Sequence, residues 1–274
     1  MRKILAFALL IFSASTFSVE DRAQVNISGP HRKLFPPVAC NPPTPTYDAQ
    51  MWNSSNYCTS GTTACSNGLG LYKVQDSAGS DTATQSTGAQ QPIYTTGQVN
   101  GLAAAVFTAA SSENMGLASS IPYNWTIYSG FAVVKSPVHT DGSNYGILGN
   151  SSSGAYWGEF WSSYNSFTFK VSNGSASIYT ANSAFPDSTW VMVAFQWNVS
   201  TGAYYIWRIT GSAVTVLASG TQTATPSGAG YQLNDIGAYG SSSWNNQAIA
   251  EVALYNGTIS TSALQTYASC KYGF

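Results

Sequence analysis

The run Gln247-Ala-Ile-Ala-Glu-Val-Ala-Leu-Tyr-Asn256, with the stretch after it ending Cys270-Lys-Tyr-Gly-Phe274, decides the fold. Glu251 is the only carboxylate in an otherwise apolar segment. Beyond it, Ser260-Thr-Ser-Ala-Leu-Gln-Thr-Tyr-Ala-Ser269 reads as a short helix. Ser260 suits an N-cap, because its hydroxyl can accept a free N–H of the first turn, and Leu264, Tyr267 and Ala268 fall on one face. No other segment has helical periodicity.

Upstream, short alternating apolar runs are separated by Gly, Ser and Asn clusters, the pattern of an antiparallel all-β sandwich or jelly roll. In Trp125-Thr-Ile-Tyr-Ser-Gly-Phe-Ala-Val-Val-Lys135, the alternation predicts that Trp125, Ile127, Phe131 and Val133 share a face. Val191, Val193, Phe195, Trp197 and Val199 do so in the next long run, which turns at Ser200-Thr-Gly202 into Ala203–Ile209. Phe167, Phe169 and Val171 precede Asn173-Gly174, a strong hairpin signal, with Ile178 and Tyr179 on the return. Trp125, Trp190, Trp197 and Trp207 are in phase with aliphatic strand residues and belong to the core.

Two further stretches carry a resemblance. Asp76-Ser-Ala-Gly79 leads through Gln91-Pro-Ile-Tyr94 to Asn100-Gly101 and Ala105-Val-Phe107, and Leu233-Asn-Asp-Ile-Gly-Ala238 comes shortly before Gln247. Together with the final strand and helix, they make roughly Tyr47 to Phe274 resemble the concanavalin A-like, laminin-G-type sandwich domains. The resemblance implies an antiparallel β-sandwich of jelly-roll type with one short C-terminal helix. In such domains the first and last strands are neighbours, and Glu251 resembles a strand residue that organises the sheet or a nearby loop.

The chain of 274 residues is 8% charged and 14% aromatic, so it has material for a core and a surface built mainly from Ser, Thr, Asn and Gly. No linker divides it, and one sandwich domain, residues 47–274, is expected. Met1-Arg-Lys-Ile-Leu-Ala-Phe-Ala-Leu-Leu-Ile-Phe12, then Ser13-Ala-Ser15, reads as a secretory signal over residues 1–18, with cleavage after Ser15 or Ser18. Residues 19–46 hold Pro30, Pro36, Pro37, Pro42, Pro43 and Pro45, an extended proline-rich extension that could add to a neighbour. The expected product is secreted, with no membrane span after cleavage. From Tyr47 onward five basic residues, Lys73, Lys135, Lys170, Arg208 and Lys271, face nine acidic ones, which leaves no basic stripe for nucleic acid.

Four cysteines in an exported chain suggest two disulfides, with three pairings open. Cys58 and Cys65 could close the polar loop between them, leaving Cys40 with Cys270. The neighbouring first and last strands of the resembled fold make that long bridge reasonable.

The chemistry of catalysis is thin. Glycan hydrolases of this sandwich class carry paired carboxylates on one strand in a Glu-x-Asp-x-x-Glu pattern, which is missing here; Glu159 and Glu251 each stand alone. His139-Thr-Asp141 has no Gly-x-Ser-x-Gly nucleophile to serve. Lyases of the class need Arg, His and Tyr along a groove, and only His31 and His139 exist. No catalytic residue is assigned, and the chain is expected not to be an enzyme. Calcium is the one cofactor left open, with Asp76, Asp81 and Asp141 as candidate ligands or else turn residues at loop tips.

The remaining constellation is aromatic: Tyr156, Trp157, Trp161 and Tyr164, with Glu159 among them, and Tyr239 and Trp244 in a later stretch. Sugars offer apolar C–H faces that stack on flat rings while amides and carboxylates bind their hydroxyls. The expectation is therefore a non-catalytic recognition module for a glycan or a surface partner, as in adhesion. The alternative is a self-assembling subunit of an extracellular or virion-surface structure, and a third reading is a divergent polysaccharide hydrolase or lyase using Glu159 or Glu251. Seven Asn-x-Ser/Thr sequons, at Asn26, Asn53, Asn124, Asn150, Asn173, Asn198 and Asn256, accompany the Asn-, Ser- and Thr-rich composition.

Overall fold

A computed structural model describes residues 40–79, 81–121, 125–136, 144–149, 156–161, 166–170, 177–181, 184–223, 233–239, 243–244 and 246–274. The expected signal and residues 19–39 of the extension lie outside them. The strands are β1 (Tyr47–Gln50), β2 (Tyr57–Cys58), β3 (Thr63–Ala64), β4 (Leu71–Gln75), β5 (Thr82–Thr84), β6 (Ile93–Val99) and β7 (Leu102–Val106). Next come β8 (Met115–Ile121), β9 (Ile127–Lys135), β10 (Asn144–Gly149), β11 (Tyr156–Trp161), β12 (Ser166–Lys170) and β13 (Ser177–Tyr179). The last are β14 (Trp190–Asn198), β15 (Ala203–Ile209), β16 (Val214–Thr221), β17 (Leu233–Ile236), β18 (Ala238–Tyr239), β19 (Ser243–Trp244) and β20 (Ala248–Asn256), before helix α1 (Thr261–Tyr267).

They form two large antiparallel sheets. One runs β16-β15-β14-β9-β20-β7-β6, with β1 also paired to β20; the other runs β13-β12-β11-β10-β17-β8-β5-β4-β2-β3; β18 and β19 form a separate small ladder. The sheets face each other across a continuous core that takes Val191, Val193, Phe195 and Trp197 from one and Leu71, Met115, Ile147 and Phe167 from the other. The sandwich with a short C-terminal helix is therefore present, and its sheets are open rather than closed into a barrel.

A second core lies on the outer face of the first sheet, where Phe131, Val133, Met192, Ala194, Trp207 and Ile209 meet Leu264, Tyr267 and Tyr272 of the C-terminal helical segment. This explains the opening sequence run. Every residue of β20 from Ala248 to Tyr255 is buried, because one face meets the opposing sheet and the other meets the helix. A strand covered on both sides reads as a continuous apolar run, not an alternation. Ser260 caps α1 as expected, its Oγ accepting from the Ala263 N–H at 3.3 Å, and Leu264 and Tyr267 are its buried face. The segment continues through Ala268–Tyr272 as a wider π-type turn.

One expected face is corrected. Phe131 and Val133 belong to the outer core, whereas Trp125 belongs to the inter-sheet core. Trp125 precedes β9, and its N–H is donated to Tyr128 Oη at 3.1 Å, so the strand alternation does not extend back to it. Tyr128 links Trp125 to Trp197, with ring centroids 5.4 and 5.8 Å away. The β12–β13 hairpin pairs Lys170 with Ser177, while Asn173-Gly174 at its turn lie outside the described residues.

Candidate functional site

The described residues of the aromatic constellation fall on β11 of the ten-stranded sheet and on the separate β18–β19 ladder. Tyr156, Trp157, Glu159 and Trp161 lie on β11, which pairs with β10 on one side and β12 on the other. Glu159 sits in register with Gly146 and Thr168, and Trp161 with Asn144 and Ser166. Tyr239 and Trp244 lie on the β18–β19 ladder, opposite Ser243 and Ala238. That ladder packs alongside β10. The turn leading into it is fixed by the Gly237 N–H, which donates to the Ile147 carbonyl at 2.9 Å. Gly237 has φ +85°, and a Cβ there would meet Phe107 Cε1 at 2.2 Å, so glycine is required at this junction. Strands far apart in sequence are thus brought beside β10: β11 pairs with it, and the ladder that follows its other neighbour, β17, packs against it. Tyr164 lies outside the described residues.

The carboxylates named as calcium candidates have other partners. Asp76 Oδ1 accepts the backbone N–H groups of Asp48 and Ala78, both at 2.9 Å, the second closing an Asx turn. Asp81 Oδ1 accepts from Thr82 and Ser119 at 2.9 and 3.1 Å. Asp141 lies outside the described residues, and among those described no group of three His, Cys, Asp or Glu is arranged to hold a metal. Both disulfides are formed, Cys40–Cys270 and Cys58–Cys65.

A second constellation was not legible in the sequence. β1 pairs with β20 so that Gln50 faces Glu251 and Asp48 faces Ala253, placing Asp48 and Glu251 on the outer face beneath the C-terminal segment. Both are buried, at 2% and 0% exposure. Gln50 Nε2 donates to Asp48 Oδ2 at 2.7 Å and to Glu251 Oε1 at 3.4 Å. Tyr267 Oη donates to the Glu251 carboxyl at 2.9 Å, and Tyr272 Oη reaches it as well. Burial, followed by the charge of Asp48, holds Glu251 well above the usual carboxylate range. Burial also raises Asp48, to about 6, although its hydrogen bonds to Glu251 and Gln50 oppose the shift. The Gln50 amide nitrogen thus lies between the two carboxyls, donating to both. Adjacent carboxyls in a dry site cannot both ionise cheaply, so the pair retains a proton. The sequence showed Glu251 alone; its partner lies 203 positions earlier and was hidden in an alternating Tyr-Asp-Ala-Gln strand. As folded, the pair is roofed by Tyr267 and Tyr272 and lies out of reach of a polymer.

No protein-family model and no curated protein sequence matches the chain. Solved structures do. A GH54 α-L-arabinofuranosidase soaked with a cyclic sulfate inhibitor is similar at 12% identity and a TM-score of 0.50, over 85% of this chain and 64% of that one. A Trypanosoma rangeli sialidase in complex with a difluoro-KDN inhibitor is similar at 15% identity and a TM-score of 0.45, over 82% of this chain and 32% of that one. CBM40 of the Ruminococcus gnavus IT-sialidase, bound to α2,3-sialyllactose, is similar at 12% identity and a TM-score of 0.39, over 53% of this chain and 83% of that one. The chain thus spans about a third of the sialidase and under two thirds of the arabinofuranosidase.

At these identities the likeness concerns the fold. It nevertheless corrects one expectation. The chain was expected not to be an enzyme because familiar motifs are missing, yet a glycosidase chain contains this fold over most of its length. Missing motifs therefore do not separate the protein from enzymes, because a sandwich can host unrelated sites.

Proposed function

We propose that the protein is a secreted glycan-recognition domain of laminin-G, concanavalin A-like type that binds through the region flanking β10. The observation that carries this reading is the convergence of β11, bearing Tyr156, Trp157, Glu159 and Trp161, and the β18–β19 ladder, bearing Tyr239 and Trp244, on the same strand. Aromatic residues with a carboxylate among them are the residue types that stack on sugar faces and bind sugar hydroxyls. Export fits the two disulfides. Among the described residues no helix is long and apolar enough to cross a membrane.

The test is a glycan array that includes sialylated and arabinose-containing sugars, probed with the purified protein in calcium and in chelator, with released sugar measured in parallel. Saturable binding that is lost in a Trp157→Ala, Trp161→Ala variant of unchanged stability supports the reading. An array without a single binder overturns it.

A second reading, a structural subunit of an extracellular or virion-surface assembly, is favoured by one observation. β16 is an eight-residue edge strand of its sheet, with Val216 54% exposed, and no charged residue occurs between Arg208 and Asp235. Monomeric proteins usually blunt such edges with charge or proline. Light scattering separates the readings: concentration-dependent oligomers abolished by Val216→Lys indicate assembly, and a monomer at all concentrations excludes it.

A further inference from the structure

The buried carboxyl pair lies where the C-terminal helical segment meets the sheet. Glu251 is the attachment point: it bonds Tyr267 from α1 and Tyr272 from the turn after it, and Gln50 ties it to Asp48 on the strand beneath. Phe131 packs edge-on to Tyr267 and Trp52 edge-on to Tyr272, so the contact is otherwise apolar. Asp48 Oδ1 is buried without a hydrogen-bond donor.

The surrounding charges can be named element by element. β1 contributes Asp48, and on its opposite face Tyr47, whose phenol feels Asp76 and Asp81. β20 contributes Tyr255, α1 Tyr267, and the final turn Tyr272 and Lys271. β9 presents only Phe131 and Val133 to this core. Among the described residues here the cation is Lys271, whose Nζ lies over the Trp52 ring, 5.0 Å from the centroid, and whose charge favours ionised Asp48, while Asp76, accepting the Asp48 N–H at 2.9 Å, opposes it.

From this geometry we infer that the C-terminal segment, residues 261–274, is a proton-dependent clasp, held on the outer face by Tyr267 and Tyr272 on a protonated Glu251 and loosened when Glu251 ionises beside Asp48. The sign follows from linkage. Glu251 has a folded pKa above its unfolded value, so the clasp is complete in acid and weakens as pH rises through the folded value. Asp48, raised to about 6, ionises first and leaves the remaining proton on Glu251. Loss of that last proton places two anions side by side in a dry site. Because Cys270 is bonded to Cys40, loosening is local and reversible, not a loss of the segment.

The test is hydrogen exchange of residues 261–274 in the intact, oxidised protein between pH 6 and pH 10, corrected for intrinsic exchange. In the wild type, the opening constant is expected to rise by up to about tenfold per pH unit, the limit for one proton, until Glu251 ionises in the closed state, and then to level off. Glu251→Gln keeps an acceptor for the tyrosines and a donor for Asp48 but has no proton to lose, so its opening constant should be flat across the range. A wild-type gradient that persists in Glu251→Gln, or a flat wild type, overturns the inference. Should the glutamine variant not fold, Asp48→Asn serves instead. With its neighbour uncharged, Glu251 ionises at lower cost and the gradient should shrink, and an unchanged gradient refutes the clasp.

Discussion

The two disulfides close loops of very different length, and their removal should have unequal consequences. Cys40 and Cys270 are 230 positions apart, Cys58 and Cys65 only 7. If a cross-link acts mainly by restricting the unfolded chain, its effect grows with the logarithm of the loop. The long bridge is then worth about 5 kcal/mol and the short one about 2.5 kcal/mol. For a domain of this size, about 5 kcal/mol corresponds to a drop in Tm of roughly 10–20 °C. The perturbation is a pair of double variants, Cys40→Ala with Cys270→Ala and Cys58→Ala with Cys65→Ala, read by guanidinium denaturation. The long-loop variant should lose about twice as much stability and show a larger m value, because its denatured state expands. Packing works against the difference, since Cys58 is wholly buried and Cys40 is only partly so. A long-loop variant that loses no more than the short-loop one, with m unchanged, would refute the reasoning and place the contribution of the bridge in native contacts instead.

Two further substitutions test the framework around the sites. Gly237→Ala must hold a side chain at φ +85° with its Cβ 2.2 Å from Phe107, so a loss of about 2–4 kcal/mol is expected in a denaturant titration. Ser260→Ala removes the cap of α1 and should cost about 1 kcal/mol, seen as faster exchange in the first turn of the helix with the sheet amides unchanged.

Much of the architecture was legible because its causes are local. Val191, Val193, Phe195 and Trp197 alternate because one face of β14 meets the opposing sheet, and Ser260 announces a helix start because its hydroxyl answers a nearby N–H. Trp125 misled because periodicity carries no mark of where a strand begins. The grouping of β11 with the β18–β19 ladder was suggested by residue type alone, since which strands lie beside β10 is not written in the sequence. Asp48 was passed over for a similar reason: a carboxylate in a four-residue strand carries no sign of the buried glutamate opposite it.

The sequence by itself determined the strand periodicities, the single C-terminal helix, the glycines at tight junctions and the absence of a basic surface, all of which depend on residues near one another or on composition. Only the tertiary structure decided that Gln247–Asn256 is covered on both faces, that Cys40 meets Cys270, and that Asp48 and Glu251 are buried together on one face. These features arise from strand order and sheet packing, which join segments more than 200 positions apart, and pairing at that distance leaves no period to read.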